Sequence, residues 1–520
     1  MWETKVLQLP GKSDIVSIVV TSQTHYMKPV STIISFSVTL LFCIFTISLF
    51  AQNNKPLKLH PQNPHYFLYN NKSTILVGSG EHYGSVINED FNYKQYLETL
   101  SKDGLNLTRL FTGAYVEKQG DFGIQKNILA PAEGRILLPW QRSGTPGYAL
   151  GGNKFDLGKW DDAYFSRLKD FVREAGKNNV IVEVSLFSSY YGGGWNYSAL
   201  NPKNNINHTD SISSNLVNTL SNGNILAYQE RYVRKIVKEL NGFDNFYFEV
   251  QNEPWADQTD TVIIRNDYGV ENDWRSTIQV VSKKSNEWQR QIARWLKEEE
   301  SRLSNKHLIS QNISNYHYPI TNPDPNISIF NFHYTLPEAA WENYYLNRVM
   351  GFNETGFAGR EDQTYRKQAW RFLMAGGGLF NQLDYSFSVG SENGQDTGYT
   401  APGGGSPNLR RQFGVLKHFF DELNFVKLHP DHSIITSGPG AMTEALSDGK
   451  IKWIIYLERQ SIKPYDIILK LSGSQYHAEW IDVVTGLTLT TSPVINGHLA
   501  VPAGANDMIA VISILKNKNN

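Results

Sequence analysis

The chain has 520 residues, of which 49 are basic and 50 acidic, so its formal net charge at pH 7 is −1. This length allows two or three domains, and a balanced charge without a basic stripe argues against nucleic acid as a partner. The one cysteine, Cys43, lies in an apolar run near the N-terminus, so the chain beyond it has no thiol for a disulfide, a zinc–thiolate site or a nucleophile.

That apolar run predicts export. Lys28 precedes roughly twenty apolar residues that end at the small residue Ala51, which is the layout of a secretory signal peptide. We therefore expect translation to start at Met27, residues 1–51 to be an extension plus signal peptide, and the mature chain to be periplasmic or secreted, without stable insertion in a membrane. The alternative is an uncleaved N-terminal anchor, because the run approaches bilayer-spanning length.

From residue 52 to 429, short apolar segments alternate with amphipathic helical patterns. The predicted strands are 74–79, 105–111, 180–187, 246–250, 307–311, 327–332, 347–352 and 378–383. Apolar residues near 3.6-residue spacing predict helices between them, around 160–175, 228–240, 288–296 and 408–426. Eight strands alternating with helices predict an α/β fold, a (β/α)₈ TIM barrel.

The pattern changes from residue 430 to 520. Segments such as "IKWIIYLE", "YDIILKL", "HAEWIDV" and "DMIAVISI" are short and apolar, and Gly, Ser and Asn turns separate them without a helical stretch. They predict a small all-β sandwich domain. We expect it to brace the barrel, and the alternative is an independent carbohydrate-binding module.

Polar and charged residues stand where the predicted barrel strands end. "FYFEVQNEPW" carries the fourth strand into Asn252 and Glu253, where Pro254 stops ladder pairing. The seventh strand runs into Glu354. Because the C-terminal ends of barrel strands converge on one face, we expect these two glutamates to face each other across the barrel mouth. Asp384 and Glu392 are rival carboxylates further along the chain.

Two facing carboxylates are what glycoside hydrolysis requires. In the retaining reaction one attacks the anomeric carbon and the other protonates the leaving oxygen and then activates water, at a separation of roughly 5–5.5 Å, against about 6.5–9.5 Å for inversion. A cation such as Arg109 would keep the nucleophile ionised, and the hydroxyl of Tyr334 could hold one of its oxygens. The acid needs fixed geometry and partial desolvation, which explains a glutamate at a rigid strand end.

The motifs "VQNEPW", "GFNETGFAG", "GLNLTRLF" and "NFHY", in this order, resemble the clan A retaining glycoside hydrolases, near the cellulase-like branch, over about residues 60–430. The resemblance implies Glu253 as acid/base, Glu354 as nucleophile and Asn252 as partner of the sugar 2-hydroxyl. It also implies supporting roles for Arg109, His333 and Tyr334, and cleavage of an equatorial bond, β-D or α-L, in a poly- or oligosaccharide. The C-terminal part resembles the β-sandwich often appended to such barrels. Tyr385 and Phe387 stand where many clan members place a tryptophan.

Further candidates lie in the predicted βα loops. Glu81, His82 and Tyr83 follow the first strand, and we expect them to line the substrate site; Glu81 and His82 are not expected to bind a metal, since no third ligand is suggested. Trp195, Trp255 and Tyr385 are candidate sugar-stacking residues, and core packing is the alternative for each. The glycine-rich loop 390–406 lacks the Gly-Lys-Ser/Thr of a phosphate cradle, so we expect no cofactor.

The long loops 112–155, 188–224 and 384–407 would wall the barrel mouth. Long loops around the barrel mouth favour a closed pocket, and so an enzyme that acts at the ends of glycan chains, although such loops can equally border an open groove. Two other functions remain open: a glycan-binding protein without turnover, which two repelling glutamates disfavour, and a transglycosylase, which would use the same residues. We expect a monomer.

Overall fold

The computed structural model describes residues 55–264, 274–438, 440–459, 465–473 and 475–514. The signal peptide or anchor expected in residues 1–51 lies outside these ranges. Of the helices within them, none combines the length and the apolar character that crossing a bilayer requires.

Eight parallel strands in the described part of the chain form a closed barrel, in which the eighth pairs with the first and the fourth with the fifth. In chain order these barrel strands are Leu76–Gly80, Leu107–Phe111, Ile181–Ser188, Phe246–Asn252, Ile309–Ser314, Ile329–His333, Val349–Glu354 and Leu379–Leu383. Each overlaps the strand expected from the sequence, so the predicted TIM barrel is confirmed. Two further strands, Thr259–Ile264 and Thr277–Val281, form an antiparallel hairpin that extends the sheet at the fifth strand.

Helices surround the barrel. They are Tyr93–Lys102, Asp162–Lys177, Ile225–Leu240, Pro254–Asp257, Lys283–Ser301, Glu338–Glu342, Asp362–Met374 and Pro407–Glu422. Local sequence explains where several begin. The carboxylate of Asp161 caps Asp162–Lys177 by accepting from the backbone N–H groups of Ala163 and Tyr164, and Ser406 caps the last helix, whose first residue is a proline.

The N-terminal end of the barrel is closed by apolar packing. A small antiparallel sheet of Lys58–Leu59, Phe67–Tyr69 and Lys72–Thr74 precedes the first barrel strand. Phe67 packs in one buried cluster with residues at the starts of the barrel strands, among them Leu107 and Leu379. Chemistry is therefore confined to the opposite, C-terminal end.

The segment 112–155 contains more structure than the loop we expected. An antiparallel hairpin, Trp140–Pro146 with Asn153–Trp160, rises from it, and Gly147, Gly151 and Gly152 turn the chain with positive φ. Short 3₁₀ turns occur elsewhere in the described ranges, at Asp121–Gly123, Tyr191–Tyr197, Ser214–Leu216, Trp274–Ser276, Tyr344–Leu346 and Phe425–Lys427.

Two antiparallel sheets follow the barrel and enclose their own apolar core, which confirms the predicted β-sandwich. One sheet orders its strands as His429–Pro430, Ala441–Ser447, Lys452–Arg459, Asp507–Ile514, Tyr476–Asp482 and Thr488–Val494. The other consists of Ile435–Ser437, Asp466–Leu469 and His498–Ala500. The boundary at residue 430 stays a prediction about independent folding, since barrel and sandwich belong to one compact unit.

The helix after the seventh strand fastens the sandwich to the barrel. The guanidinium of Arg366 donates to both carboxylate oxygens of Asp507, at 3.0 and 2.6 Å, and the hydroxyl of Tyr456 donates to Asp507 at 3.1 Å. Trp370 stacks on Tyr456 with an interplanar angle of 4°. These buried contacts support the interpretation of the sandwich as a brace.

Candidate active site

Two glutamates meet at the C-terminal end of the barrel. Glu253 directly follows the fourth strand, and Glu354 is the last residue of the seventh. One oxygen of each carboxylate and a ring nitrogen of His333 lie within 4.8 Å of one another. The structure thus brings together the two carboxylates that the sequence placed across the barrel mouth.

Glu354 is surrounded by groups that stabilise its anion. Its Oε2 accepts from the hydroxyl of Tyr83 and from Nη1 of Arg109, both at 2.8 Å, and its Oε1 accepts from the hydroxyl of Tyr334 at 2.6 Å. Burial alone would raise the pKa of Glu354, but the nearby charges of His333 and Arg109 and the two tyrosine hydroxyls hold this pKa below its ordinary value. The group is therefore ionised at neutral pH, as a nucleophile must be.

Glu253 has a different environment, with no arginine or lysine among its hydrogen-bond partners. Its Oε1 lies 2.8 Å from Nδ1 of His333, and its Oε2 accepts from the hydroxyl of Tyr191 at 2.7 Å. Its side chain is 13% exposed, against 7% for Glu354. The ring of His333 and the hydroxyl of Tyr191 therefore fix the position of the Glu253 carboxyl group at the barrel mouth.

Arg109 links the two strand ends. Besides its bond to Glu354, the guanidinium donates to both oxygens of Glu249 and, at 2.7 Å, to Oδ1 of Asn252. The amide of Asn252 in turn donates to the hydroxyl of Tyr191 at 2.8 Å. Asn252 is thus held from both sides, next to Glu253, where the resemblance places the partner of the sugar 2-hydroxyl.

Three residues of the site have left-handed backbone conformations that are uncommon for side chains other than glycine. Tyr83, Glu253 and Tyr334 follow the first, fourth and sixth strands with φ of 57°, 47° and 49°. Such conformations persist where surrounding contacts enforce them, and they concentrate at functional sites. Here they turn three side chains from separate strands toward Glu354 or its neighbours.

A second polar cluster, around His82 and Glu117, borders the pocket that Glu253 and Glu354 line. Nε2 of His82 lies 2.9 Å from Glu117, whose carboxylate also accepts from Tyr115 and Asn127. Burial lowers the pKa of His82, but the charge of Glu117 and the bond to it raise this pKa above its ordinary value. The residues that line the pocket are His82, Tyr83, Phe111, Glu117, Phe122, Tyr191, Asn252, Glu253, Tyr334, Glu354 and Phe357.

Several candidates from the sequence do not line this pocket. Glu81 is buried and accepts from the hydroxyl of Ser85 and from the backbone N–H of Gly84, so it holds its own loop. Trp195 packs on Tyr190 and donates to a backbone carbonyl. Both side chains are therefore buried in local contacts outside the pocket that Glu253 and Glu354 line.

Two other aromatic candidates lie just outside the pocket. Trp255 is buried edge-on against the ring of His333, 5.1 Å between centroids, and so orients the partner of Glu253. Tyr385 lines a neighbouring cavity that it shares with His82 and Tyr399.

The rival carboxylates have other partners. Asp384 forms a buried ion pair with Arg410 at 2.5 Å, and Glu392 accepts from the backbone N–H groups of Asn92 and Gly390. Neither lines the pocket. Of the three carboxylates that do, Glu117 pairs with His82, and Glu253 and Glu354 face each other.

Sequence reasoning missed three residues that the structure places at or beneath the site: Tyr191, Glu117 and Glu249. Tyr191 lies four positions before the predicted Trp195, so the sequence pointed to the right loop there but not to the right side chain, whereas His82 and Tyr83 of the first loop do line the pocket. Glu249 carried a usable signal, since a charge in the middle of the apolar strand "FYFEV" needs a buried partner.

Glu253, His333 and Glu354 could geometrically hold a metal ion. Their donor atoms are already engaged, however. Arg109 and two tyrosine hydroxyls occupy both oxygens of Glu354, so a cation there would have to displace a guanidinium. The set fits a hydrogen-bonded carboxylate pair better than a metal centre.

No protein-family model and no curated protein matches the chain. Solved structures do. A Bacteroides vulgatus protein proposed to be a glycoside hydrolase is similar with a TM-score of 0.60 and 12% identity, over 89% of this chain and 83% of its own. A glycoside hydrolase family 5 structure from the same organism gives 0.55 and 14%, over 88% and 93%. A third structure, named only as a glycoside hydrolase, gives 0.55 and 13%, over 88% and 97%. At these identities the likeness shows that the fold, barrel and sandwich together, is one that glycoside hydrolase structures use.

Proposed function

We propose that the chain is a retaining glycoside hydrolase that cleaves an equatorial glycosidic bond, β-D or α-L, in a poly- or oligosaccharide. The observation that carries the proposal is the pair Glu253 and Glu354, whose nearest ligand oxygens lie within 4.8 Å. So close an approach of two carboxylate oxygens fits the carboxyl separation of roughly 5–5.5 Å in retaining enzymes better than the about 6.5–9.5 Å of inverting ones.

The surroundings of the two glutamates assign their roles. Glu354, held ionised by Arg109, Tyr83 and Tyr334, attacks the anomeric carbon and forms a glycosyl ester, while Glu253 gives its proton to the departing oxygen. In the second step Glu253 takes a proton from water, the water oxygen bonds to the anomeric carbon, and the carboxylate of Glu354 leaves. As Glu354 becomes a carboxylate again, its negative charge is stabilised by the hydrogen bonds from Tyr334, Tyr83 and Arg109, which are already in place.

The test separates the two roles by leaving group. The mature chain from Gln52 is assayed on aryl glycosides and on plant and algal polysaccharides, beside Glu253→Gln and Glu354→Gln, with the exposed Glu98→Gln as control. An aryl group of low pKa departs without protonation, so Glu253→Gln should lose polysaccharide cleavage but keep bond breaking of the activated aryl glycoside. Glu354→Gln should lose both.

Other results would change the assignment. Normal turnover by Glu354→Gln would remove it as the nucleophile. Glycan binding without cleavage by the unaltered chain would favour a binding protein, and transfer of the sugar to an added acceptor instead of water would identify a transglycosylase.

We propose further that the protein is exported, on the basis of the apolar run before Gln52 and its small terminal residue, and the expectation of a monomer is tested alongside. N-terminal sequencing of the secreted protein should begin at Gln52, and sedimentation should give the mass of one chain. A protein that stays in the membrane fraction with residues 28–51 attached would identify an anchor instead.

A further inference from the structure

Beneath the catalytic pair, the barrel interior holds more negative than positive charge. Arg109 lies within 4 Å of three carboxylates: Glu249 at 2.6 Å, Glu354 at 2.8 Å and Glu183 at 3.7 Å. The side chains of Arg109, Glu183 and Glu249 are fully buried. Glu183 pairs in register with Arg109 on the neighbouring strand, so the sheet itself fixes this arrangement.

Three ionised carboxylates around one guanidinium would leave a buried excess of negative charge. Removing an uncompensated charge from water is so costly that the group binds a proton instead. His333, 3.7 Å from Glu354, is the next titratable group on that side, but it already faces Glu253. We therefore expect one of these three carboxylates to carry a proton near neutral pH.

The donors around each carboxylate show which one it is. Glu249 accepts at both oxygens from Arg109, and also from Ser185, Asn312 and Asn353. Glu354 has three donors, one of them charged. Glu183 receives only neutral donors, at 2.8 Å from Asn331, 3.1 Å from Ser310 and 3.3 Å from Asn353.

The electrostatics agree with that ranking. Burial and the charge of Glu249 raise the pKa of Glu183 to about 8, and Arg109 only partly opposes them. Tyr247, on the fourth strand, also faces Glu183 and Glu249, and burial together with the charges of these two carboxylates raises its pKa. The fifth to seventh strands face Glu183 and Glu249 with the amide or hydroxyl side chains of Ser310, Asn312, Asn331 and Asn353, and they also carry His333 and Glu354.

We propose that Glu183 is a positioning residue, held protonated at neutral pH, and that its neutrality leaves Arg109 bound to Glu249 and Glu354. When Glu183 loses its proton to solvent, it competes for the guanidinium and weakens the hold of Arg109 on Glu354. The catalytic consequence rests on the proposed function, whereas the buried proton does not.

The proton can be observed directly by infrared spectroscopy of the full mature chain. A protonated carboxyl has a carbonyl stretch distinct from that of a carboxylate, and we expect one such band to disappear as pH rises through about 8. Glu183→Gln should lack this band at pH 7. Glu249→Gln, which removes the neighbouring charge, should shift its titration to lower pH. A pH 7 spectrum identical in Glu183→Gln and the unaltered chain would overturn the proposal.

Stability gives a second readout that needs no substrate. An acid whose pKa is raised on folding costs stability progressively from its unfolded value up to its folded value, and glutamine has no such titration. The melting temperature of Glu183→Gln minus that of the unaltered chain should therefore increase between about pH 4.5 and pH 8 and stay constant above. A difference independent of pH would contradict the stored proton. If Glu183→Gln does not fold, the band shift in Glu249→Gln decides.

The positioning role predicts a pH profile that a merely structural role would not produce. The ratio of kcat/KM for Glu183→Gln to that of the unaltered chain should rise above pH 8, because only the unaltered chain can ionise at this position. A ratio that stays flat while the infrared band titrates would leave the proton in place but refute its effect on Arg109. A protein that cleaves no glycoside yet shows the band would refute the proposed function alone.

Discussion

Replacing Arg109 with lysine is the perturbation that most directly tests how the nucleophile is held. The guanidinium donates through Nε, Nη1 and Nη2 to Glu249, Glu354 and Asn252 at once. A lysine ammonium keeps the charge but has no planar fork, so it cannot serve all three acceptors. At least one charge-assisted hydrogen bond is lost.

The size of the effect follows from that bond. A hydrogen bond to a charged group contributes about 1.5–3 kcal/mol. If the lost bond is the one to Glu354 or to Asn252, kcat/KM should fall about 10- to 150-fold, at 1.36 kcal/mol per factor of ten. The assay is kcat/KM on the best substrate of the panel, with melting temperature measured alongside, and the exposed Arg173→Lys is the matched control.

A kcat/KM for Arg109→Lys within twofold of the unaltered chain would refute the reasoning. So would a variant that loses stability but keeps its catalytic constants, because Arg109 would then act only as a partner of the buried glutamates.

Three further predictions concern the nucleophile Glu354, the contact between sandwich and barrel, and Trp274 at the edge of the pocket. The pKa of Glu354 is depressed in the folded protein, so its carboxylate stays ionised below its ordinary pKa of 4.5. On the acid side of the pH profile, activity should therefore fall only below that value. An acid limb of this profile that is centred above about 5 and is unchanged in Tyr334→Phe would contradict the prediction. Arg366→Met leaves the buried Asp507 without its cation and should lower the free energy of unfolding, measured by urea denaturation, by about 3–5 kcal/mol. The double variant that also carries Asp507→Leu should recover part of this loss. A loss under about 1 kcal/mol would show that the sandwich is not braced there. Trp274 is 38% exposed and packs edge-on against Tyr334, so Trp274→Ala should raise KM for an oligosaccharide more than for an aryl monosaccharide, and equal effects would exclude an extended binding site on that side.

Much of the fold was predictable because barrel strands carry a strong signal. The eight segments are short, apolar and separated by helical periodicity, and this pattern does not depend on distant contacts. Glu253 and Glu354 followed from the same reasoning, since once the strands are assigned, barrel geometry places their C-terminal ends on one face.

The rest depended on contacts between loops that sequence spacing does not encode. Glu81 looked like a pocket residue, but the hydroxyl of Ser85, four residues later, captures its carboxylate. Tyr191, which donates to Glu253, precedes a turn in which Gly192 and Gly193 have positive φ. The hairpin within 112–155 depends on similar glycine turns. Local hydrogen bonds and glycine conformations of this kind decide where loop side chains point, and sequence spacing does not reveal them.

The central claim, that Glu354 is a nucleophile, is tested most directly by isolating its glycosyl ester. In Glu253→Gln the first step proceeds with an activated aryl glycoside, but no base activates water for the second, so the ester should accumulate. The intact mass should rise by one glycosyl unit, and peptide mapping should locate it on Glu354. A burst of aryl release with no covalent adduct, or an adduct on another residue, would contradict the account.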